Sequence, residues 1–316
     1  MELKNKIWLQ YCAFAFGVLC IGWSAIFVKL AGVNGFTSAF YRMFIASMVL
    51  VPFWLFRKKT GLSRASIIAS ALCGFYFACD LAVWNTSIML SKAAIATLLA
   101  NMAPVWVGVG SIFIFKEKLK PVFLIGSIIT IFGVVLVLGI SNVYQIRFNF
   151  GNILAICASF FYAAYLLTVR NVRNKIDTIS FTAISMITSS IVLYIVCTIS
   201  GVHMTGFSTK SWLSFFGLGL ITQLGGWIAI NWALKYIKPT AASVSLLSQS
   251  VITAIVAIPV LGEVLSNLEI LGIVIVLFGI FLVNRKKYIL LILNPSSPFG
   301  NISVRLMFIK FFKCFS

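Results

Sequence analysis

Two stretches of the chain decide its fold: FKEKLKPVFLIGSIITIFG at residues 115–133 and LGEVLSNLEILGIVIVLFG at residues 261–279. They align without a gap at an offset of 146 residues, and the alignment extends upstream of both. The matched pairs are Asn85 and Asn231, Lys92 and Lys238, Ala96 and Ala242, Glu117 and Glu263, Gly126 and Gly272, Phe132 and Phe278, and Gly133 and Gly279. Polar residues and paired glycines seldom recur by chance at one constant offset. The chain is therefore predicted to contain an internal repeat.

Composition places this repeat in a membrane. Hydrophobic residues make up 61% of 316 positions and charged residues only 10%, which is outside the range of soluble domains. Ten apolar stretches approach the ~20 residues that a helix needs to cross the hydrocarbon core. We predict spans 1 to 10 at residues 7–30, 36–56, 65–90, 92–115, 121–140, 150–170, 179–199, 211–236, 239–261 and 266–284. A β-barrel is disfavoured because residues 134–140 are apolar on every side.

The predicted fold is an all-α membrane protein with ten transmembrane helices arranged as two inverted five-helix repeats. An odd number of spans per repeat makes the second copy enter the membrane from the opposite side. The predicted units are a first repeat over 7–140, a second repeat over 150–284 and a cytoplasmic tail over 285–316. The tail contains NPSSP at 294–298 and is either an interfacial amphipathic helix or an unstructured extension.

Basic residues cluster on one side of the predicted spans. That side has Lys4, Lys6, Arg57, Lys58, Lys59, Arg64, Lys116, Lys118, Lys120, Arg170, Arg173, Lys175, Lys235, Lys238, Arg285, Lys286 and Lys287, and the other side has Lys29, Lys92, Arg147 and Lys210. The positive-inside rule places both termini in the cytoplasm, with the spans in the inner or plasma membrane. This distribution also explains the net charge of +19. Anionic lipid headgroups, and not nucleic acid, are therefore the expected charged partners.

Each repeat ends its fourth span with an acidic residue before a glycine-rich fifth span. Together with DLAVW at 80–84, TLLANMAP at 97–104 and the stretches 223–235 and 243–249, this ordered set resembles the EamA repeats of the drug/metabolite transporter superfamily. The resemblance covers residues 10–284. It implies transport of a small organic metabolite through a central cavity by alternating access, without ATP.

One position departs from the family pattern. The first repeat keeps Pro104, but Ser250 stands where the second repeat of the family usually has Pro. A proline ring removes a backbone donor and kinks a helix. We therefore expect span 9 to be straighter than its counterpart, span 4.

Asp80 is the only carboxylate predicted near the middle of the bilayer. A centred Asp costs about 2.5–3.5 kcal/mol on insertion scales, so its carboxylate should face a wet cavity or a partner. We regard Asp80 as a candidate for contact with the substrate or with a coupling proton. Arg42 of span 2 is its candidate partner, and the alternative is a buried Arg42–Asp80 ion pair that only locks two helices.

Polar and aromatic side chains at helical spacing extend the candidate site. Tyr76, Asp80 and Trp84 share one face of span 3, where rings beside a carboxylate suit an amine or a cation. The other predicted substrate-binding residues are Asn101 of span 4, Gln223, Trp227 and Asn231 of span 8, and Ser248 and Gln249 of span 9. Each of these polar residues could equally hold helices together through interhelical hydrogen bonds. Tyr162 and Tyr165 of span 6 are weaker candidates.

A structural role is predicted for the residues that recur in both repeats and for the first-repeat proline. They are Glu117, Glu263, Pro104, Gly126, Gly133, Gly272 and Gly279. The two glutamates lie at helix ends, where they would cap the helix and shape the loop. The glycines are expected to allow close packing of span 4 on span 5 and of span 9 on span 10.

No catalytic residue, metal site or cofactor is predicted. Seven cysteines are scattered singly and the one histidine, His203, falls in a loop, which supports neither a metal cluster nor a nucleophile–base pair. The leading hypothesis is a carrier that exports or exchanges an amino acid-like, zwitterionic or cationic metabolite, as a monomer or homodimer. The alternatives are a multidrug or toxic-compound efflux carrier and a non-transporting membrane scaffold.

Overall fold

The computed structural model describes residues 2–90, 98–139, 150–262 and 265–292, and all regular secondary structure in these ranges is helical. The first half contains Glu2–Gly22 and Ser24–Ala31 (span 1), Gly35–Phe56 (span 2), Arg64–Leu90 (span 3), Ala103–Phe115 (span 4) and Pro121–Val137 (span 5). The second half contains Phe150–Arg173 (span 6), Thr178–Ile199 (span 7), Thr209–Phe216, the π-helix Gly217–Gly226 and Trp227–Ala233 (span 8), Pro239–Leu246 and Ser248–Leu261 (span 9) and Asn267–Ile292 (span 10). Lys92, Ala96, Glu263 and residues 293–316 of the predicted tail lie outside the described residues.

Most of these helices are long enough to span a bilayer. Among the described residues, nine helical segments have the length and the apolar composition to cross a membrane, and Pro121–Val137 is a shorter apolar helix. Their side chains leave many large hydrophobic residues exposed on the outer surface, as lipid-facing helices do. The predicted all-α membrane fold of ten helices is thereby confirmed.

Exchange of the two halves preserves the main contacts between helices. Span 3 packs on span 6 as span 8 packs on span 1, and span 3 packs on span 7 as span 8 packs on span 2. Spans 2 and 7 pack on each other, and so do spans 5 and 10. This pattern is expected when a pseudo-two-fold axis in the membrane plane relates two inverted repeats.

The repeated glycines have other packing partners than predicted. A Cβ placed on Gly133 of span 5 would lie 2.9 Å from the carbonyl oxygen of Gly272, and a Cβ on Gly272 would lie 2.9 Å from that of Gly133. Gly126 and Gly279 approach each other in the same way, at 3.0 and 2.9 Å. The prediction that they pack span 4 on span 5 and span 9 on span 10 was wrong. The axis relates span 5 to span 10, so the glycines of one helix face those of the other, with Gly126 against Gly279 and Gly133 against Gly272.

Spans 4 and 9 are each interrupted near the middle. In span 4 a turn at Asn101 and Met102 precedes a helix with Pro104 in its first turn. In span 9 the interruption lies at Leu247, which matches Asn101 at the repeat offset. The interruption of span 9 forms without a proline, and the expectation that span 9 is straighter than span 4 stays a prediction. The Ser250 amide donates to the Leu247 carbonyl oxygen at 3.1 Å, which closes a tight turn.

Span 8 is not the continuous α-helix that its apolar pattern predicts. Its central 10 residues, Gly217–Gly226, form a π-helix between two α-helical segments. Its glycines lie against neighbouring spans, since a Cβ on Gly226 would lie 3.2 Å from the Gly17 carbonyl oxygen and one on Gly219 would lie 2.8 Å from Ile45 Cβ. Long π-helical segments are rare and often coincide with functional sites.

Candidate functional site

A cavity of about 480 Å³ lies between the two halves of the bundle. Its wall includes Ile21, Ser24, Lys29, Arg42, Phe77, Asp80, Leu81, Trp84, Ala100, Asn101, Tyr162, Trp227, Gln249, Ser250, Thr253 and Glu269. Lys29 ends span 1 and Glu269 begins span 10, so the cavity reaches the end of the bundle where these two residues lie. Its volume falls in the range of small-molecule sites, about 300–1,000 Å³.

Most of the predicted substrate-binding residues line this cavity. They are Arg42, Asp80, Trp84, Asn101, Trp227 and Gln249. These side chains come from spans 2, 3, 4, 8 and 9, so both repeats contribute to the wall. The interruptions of spans 4 and 9 lie beside it, and the Asn101 amide donates to Ser250 Oγ at 3.3 Å between the two interrupted helices.

Arg42 is buried, with 7% of its surface exposed, and its donors are used by neutral partners. Its Nε donates to Gln223 Oε1 at 2.7 Å and its Nη1 donates to Ser24 Oγ at 2.9 Å. The guanidinium carbon lies 5.9 Å from the centre of the Phe77 ring. Arg42 is therefore held in place by span 8 and span 1, and its position does not require Asp80.

Asp80 is half-buried in the cavity wall. Within the described ranges, its carboxylate makes no hydrogen bond and no ion pair with another residue. The locking Arg42–Asp80 ion pair considered as an alternative is therefore not formed, although Arg42 lies within electrostatic range. A carboxylate at this depth without a protein partner is free to accept hydrogen bonds from water or from a solute in the cavity.

Aromatic rings line the same cavity as this carboxylate. Phe77 and Trp227 make an edge contact with ring centres 4.8 Å apart, and Tyr162 meets Trp227 at 6.2 Å. Trp227 is 4% exposed. Its indole nitrogen has no hydrogen-bond partner in the part of the chain that the structure describes. The wall around Asp80 thus combines a carboxylate, π faces and an unused donor, a set that suits an organic cation or zwitterion.

The remaining predicted site residues lie outside the cavity wall. Gln223 supports Arg42 from the π-helix. Tyr76 packs against the main hydrophobic core. Ser248 donates to the Ser245 carbonyl oxygen of its own helix at 2.6 Å. Only Gln223 among these touches a residue of the wall through a hydrogen bond, so its contribution to the site is to position Arg42.

The repeated asparagines join helices. Asn231 Oδ1 accepts a hydrogen bond from the Tyr165 hydroxyl at 2.7 Å, and its amide donates to Thr182 Oγ1 at 3.5 Å. Its counterpart Asn85 donates to the Gly35 carbonyl oxygen at 2.9 Å. These contacts connect span 8 to spans 6 and 7 and span 3 to span 2. They match the interhelical hydrogen bonding considered as the alternative to substrate binding.

Several wall residues received little or no weight in the sequence. Tyr162 was a weaker candidate, Ser250 was noted only as a departure from the family pattern, Lys29 was only counted among the basic residues of one side, and Glu269 was given no role. Ser24 carried no sequence signal, because a single serine in an apolar helix is common. Its place beside Arg42 depends on how span 1 packs against span 2.

At the opposite end of the bundle, Glu117 joins three spans. Its Oε1 accepts hydrogen bonds from Arg170 Nη1 at 3.0 Å and from Lys238 Nζ at 2.8 Å, and the Arg170 guanidinium lies 4.4 Å from the centre of the Phe115 ring. Burial alone would raise the pKa of Glu117, but the bonds from Lys238 and Arg170 outweigh it and lower the pKa below its ordinary value of 4.5. Glu117 therefore connects the ends of spans 4, 6 and 9, beyond the predicted capping role.

Comparison with known proteins gives a consistent result. Residues 8–139 and 149–285 match the EamA-like transporter family. The chain is similar to an uncharacterized transporter of Archaeoglobus fulgidus, with 23% identity over 276 residues that cover 87% of this chain and 96% of that protein. It is also similar to the uncharacterized transporter YdfC of Bacillus subtilis, with 25% identity over 268 residues, 83% of this chain and 87% of that protein.

A solved structure shares the fold. One crystal structure of a protein has 17% sequence identity and a TM-score of 0.72, and the match covers 88% of this chain and 99% of that one. At this identity the likeness concerns the fold alone. The family match extends over both halves of the chain, and the helices are those of a multi-pass membrane protein. The chain therefore belongs to the EamA-like transporter family.

Proposed function

We propose that this protein is a secondary transporter that moves a small organic metabolite across the plasma membrane by alternating access. The observation that carries the proposal is the Asp80 carboxylate, which lines a cavity of about 480 Å³ and has no partner within the described residues. Because an ionised group at this depth is costly, a retained carboxylate without a structural partner favours a role in binding. The family relationship supports the same function.

The wall favours a substrate with a positive group. An ammonium could pair with Asp80 while its carbon skeleton lies against Trp84 and Tyr162. Asn101 and Gln249 add amide donors and acceptors on the side of spans 4 and 9. The buried Arg42 adds a fixed positive charge to the same wall, which suits the carboxylate of a zwitterion. We therefore propose an amino acid-like, zwitterionic or cationic metabolite, exported or exchanged.

The two ends of the helix bundle differ in a way that supports alternating access. The cavity reaches the end that carries Lys29 and Glu269, while the ion pairs of Glu117 join spans at the other end. In an inverted repeat, exchange of the two conformations of the halves converts a cavity facing one side into a cavity facing the other. Residues 7–140 and 150–284 are the proposed moving units, in a monomer or a homodimer, with both termini in the cytoplasm.

Two alternatives make different predictions. A multidrug or toxic-compound carrier would accept unrelated hydrophobic cations and show weak selectivity among amino acids. A non-transporting membrane scaffold would use the polar residues only to hold helices together, and the loss of the Asp80 charge would leave its activity intact. An enzyme is not proposed, because the wall offers no base beside a nucleophile among the described residues.

The proposal is tested by counterflow in proteoliposomes with a panel of labelled amino acids, amines and related metabolites. We expect saturable counterflow for at least one amine-bearing compound. Asp80→Asn should reduce its rate at least tenfold, because the substitution removes the charge and keeps the shape. An imposed pH gradient then separates proton coupling from exchange.

Asp177→Asn is the matched control. Asp177 caps the start of span 7 by accepting hydrogen bonds from the Ile179 and Ser180 amides, and Asn caps a helix about equally well. This variant should keep wild-type counterflow. If Asp80→Asn transported as well as the wild type, Asp80 would have a structural role. If no compound in the panel were transported, the scaffold alternative would be favoured.

A further inference from the structure

A second hollow, of about 720 Å³, lies on the outside of the bundle at the Glu117 end. It runs between span 1 and span 8 and ends at the connection between spans 6 and 7. We call it the basic groove. Its residues take no part in the central cavity, because the two sets have no member in common.

The chemistry of the basic groove changes along its length. The groove is lined by residues at intervals of four on span 8 and the turn after it: Leu220, Leu224, Ile228, Trp232 and Tyr236. Along the groove these five side chains change from aliphatic to aromatic. The Trp232 and Tyr236 rings contact each other, with 5.5 Å between their centres. Aliphatic residues belong to the acyl region of a leaflet, and Trp and Tyr belong to its interface with water. The groove is therefore graded in the way that one leaflet is.

The length of this stripe matches one leaflet. From Leu220 to Lys235 the helical rise gives roughly 20 Å. Half of a bilayer, including its headgroup region, is also about 20 Å. A lipid whose headgroup lies beside Lys235 would thus have its chain along the aliphatic part of the groove.

Positive charge is concentrated at the aromatic end. Arg57, Arg173 and Lys235 line it together with a single carboxylate, Asp177. Asp177 is occupied, since it accepts from the amides of Ile179 and Ser180 as a helix cap. Burial alone would raise the pKa of Asp177, but its hydrogen bonds and the Arg57 charge lower it, so the carboxylate stays ionised at neutral pH. Three cations against one carboxylate leave a positive excess.

Arg173 is the buried member of this group, with 2% of its surface exposed. Its guanidinium donates to the Asn231 carbonyl oxygen at 3.0 Å, to the Ile176 carbonyl oxygen at 2.6 Å and to Thr178 Oγ1. All three acceptors are neutral, and no carboxylate among the described residues bonds to it. The nearby Asp177 carboxylate favours the Arg173 charge without bonding to it, so Arg173 adds a fixed positive charge behind the groove.

We propose that the basic groove binds one anionic phospholipid of the adjoining leaflet, with its phosphate at the exposed Arg57 and Lys235, the buried Arg173 charge behind them, and an acyl chain along span 8. The aromatic pair would lie at the level of the glycerol backbone. Because span 8 also carries Gln223, which holds Arg42, a lipid in this groove contacts the element that supports the central cavity. The proposal does not depend on the identity of the transported solute.

The test is native mass spectrometry of the purified, delipidated chain with phosphatidylglycerol, phosphatidylethanolamine and phosphatidylcholine that carry identical acyl chains. We expect phosphatidylglycerol to be retained at least fivefold over phosphatidylcholine. The double variant Arg57→Gln/Lys235→Gln should lose this preference. Both side chains are exposed, so the variant should fold, and Arg173 is left unchanged.

Lys58→Gln/Lys175→Gln is the matched control, because it removes two exposed charges at the same end of the bundle but outside the groove. This control should keep the preference. Ala229→Trp, which fills the groove with the charges intact, should reduce retention of every lipid. Equal retention of phosphatidylcholine, or equal losses in the two double variants, would overturn the proposal. So would competition by glycerol phosphate at the lipid's own concentration, which would indicate a site for a soluble anion.

Discussion

At the scale of single residues, Arg42 and Asp80 of the central cavity have different functions. Arg42 is fixed by Gln223 and Ser24, so its position is set by the protein. Asp80 has no partner among the described residues, so its hydrogen bonds remain available. Arg42 and Asp80 attract each other without forming an ion pair, so each can still bind an opposite charge of a solute. Such a site is expensive in a membrane, and a bound zwitterion would relieve the cost.

Glu117 makes the clearest residue-level prediction for the opposite end. Glu117→Gln should destabilise the observed state by about 1 kcal/mol, because two partly exposed ion pairs are lost. The pKa of Glu117 is lowered in the folded protein. Its contribution is therefore complete above the ordinary value of 4.5 and disappears as the pH falls through the lowered folded value. Thermal unfolding of the wild type and of Glu117→Gln between pH 7 and pH 3 measures this pH-dependent stabilisation.

The difference in thermal midpoint between wild type and Glu117→Gln should be largest near neutral pH and vanish at the acid end. Glu269→Gln is a suitable control, because within the described residues Glu269 bonds only to Ser266 at the start of its own helix. If the difference in thermal midpoint between wild type and Glu117→Gln grew as the pH was lowered, the ion pairs of Glu117 would not stabilise the observed state.

At the scale of elements, the contact between spans 5 and 10 depends on backbone approach. Gly126, Gly133, Gly272 and Gly279 put carbonyl oxygens of one helix within 3.0 Å of the space that a Cβ on the other would fill. In lipid, such close packing replaces the hydrophobic effect as the force that joins helices. Because the two helices meet across the axis, this contact also joins the two repeats.

Gly133→Ala should lower the stability of the fold by about 1–3 kcal/mol, the usual cost of overpacking. The added methyl would lie 2.6 Å from the Val276 backbone nitrogen, and backbone cannot move aside as a flexible side chain can. Gly225→Ala is the control, since its Cβ would meet nothing closer than 3.5 Å. Thermal unfolding in detergent compares the two. Equal midpoints would mean that spans 5 and 10 separate easily.

At the scale of the whole molecule, the inverted repeat places residues that match at the repeat offset at opposite ends of the bundle. Arg57, Lys175 and Lys235 lie on one side of the bundle, and His203 lies on the other, between spans 7 and 8. The positive-inside rule puts the basic side in the cytoplasm. Orientation is therefore a prediction about the assembled protein, although its basis is the distribution of lysine and arginine.

Labelling with a membrane-impermeant thiol reagent tests this orientation. Single cysteines would be introduced at Lys58 and at His203 in a background without the seven native cysteines. In intact cells the cysteine at position 203 should react and the one at position 58 should react only after permeabilisation. The reverse pattern would invert the orientation. Retention of transport by the cysteine-free parent confirms that the background folds.

Much of the fold could be predicted because lipid restricts the choices. A chain of 61% hydrophobic residues has to satisfy its backbone within helices, and glycine and charged residues at one constant offset define a repeat. The fold prediction failed for features whose backbone geometry or packing partner depends on contacts between helices. The π-helix of span 8 and the partners of Gly126 and Gly133 have no signature in local composition, because the neighbouring helix decides them.

For the candidate site, the sequence by itself determined which ionisable groups lie inside the membrane, since Asp80 and Arg42 sit in apolar stretches where burial of a charge is costly. Only the tertiary structure decided which partners those charges have. Helical spacing relates residues on one span, but it does not say which neighbouring span supplies Gln223 to Arg42 or leaves Asp80 without a bond. Those contacts join residues as far apart as the two repeats, so they arise from packing between helices and not from any local pattern.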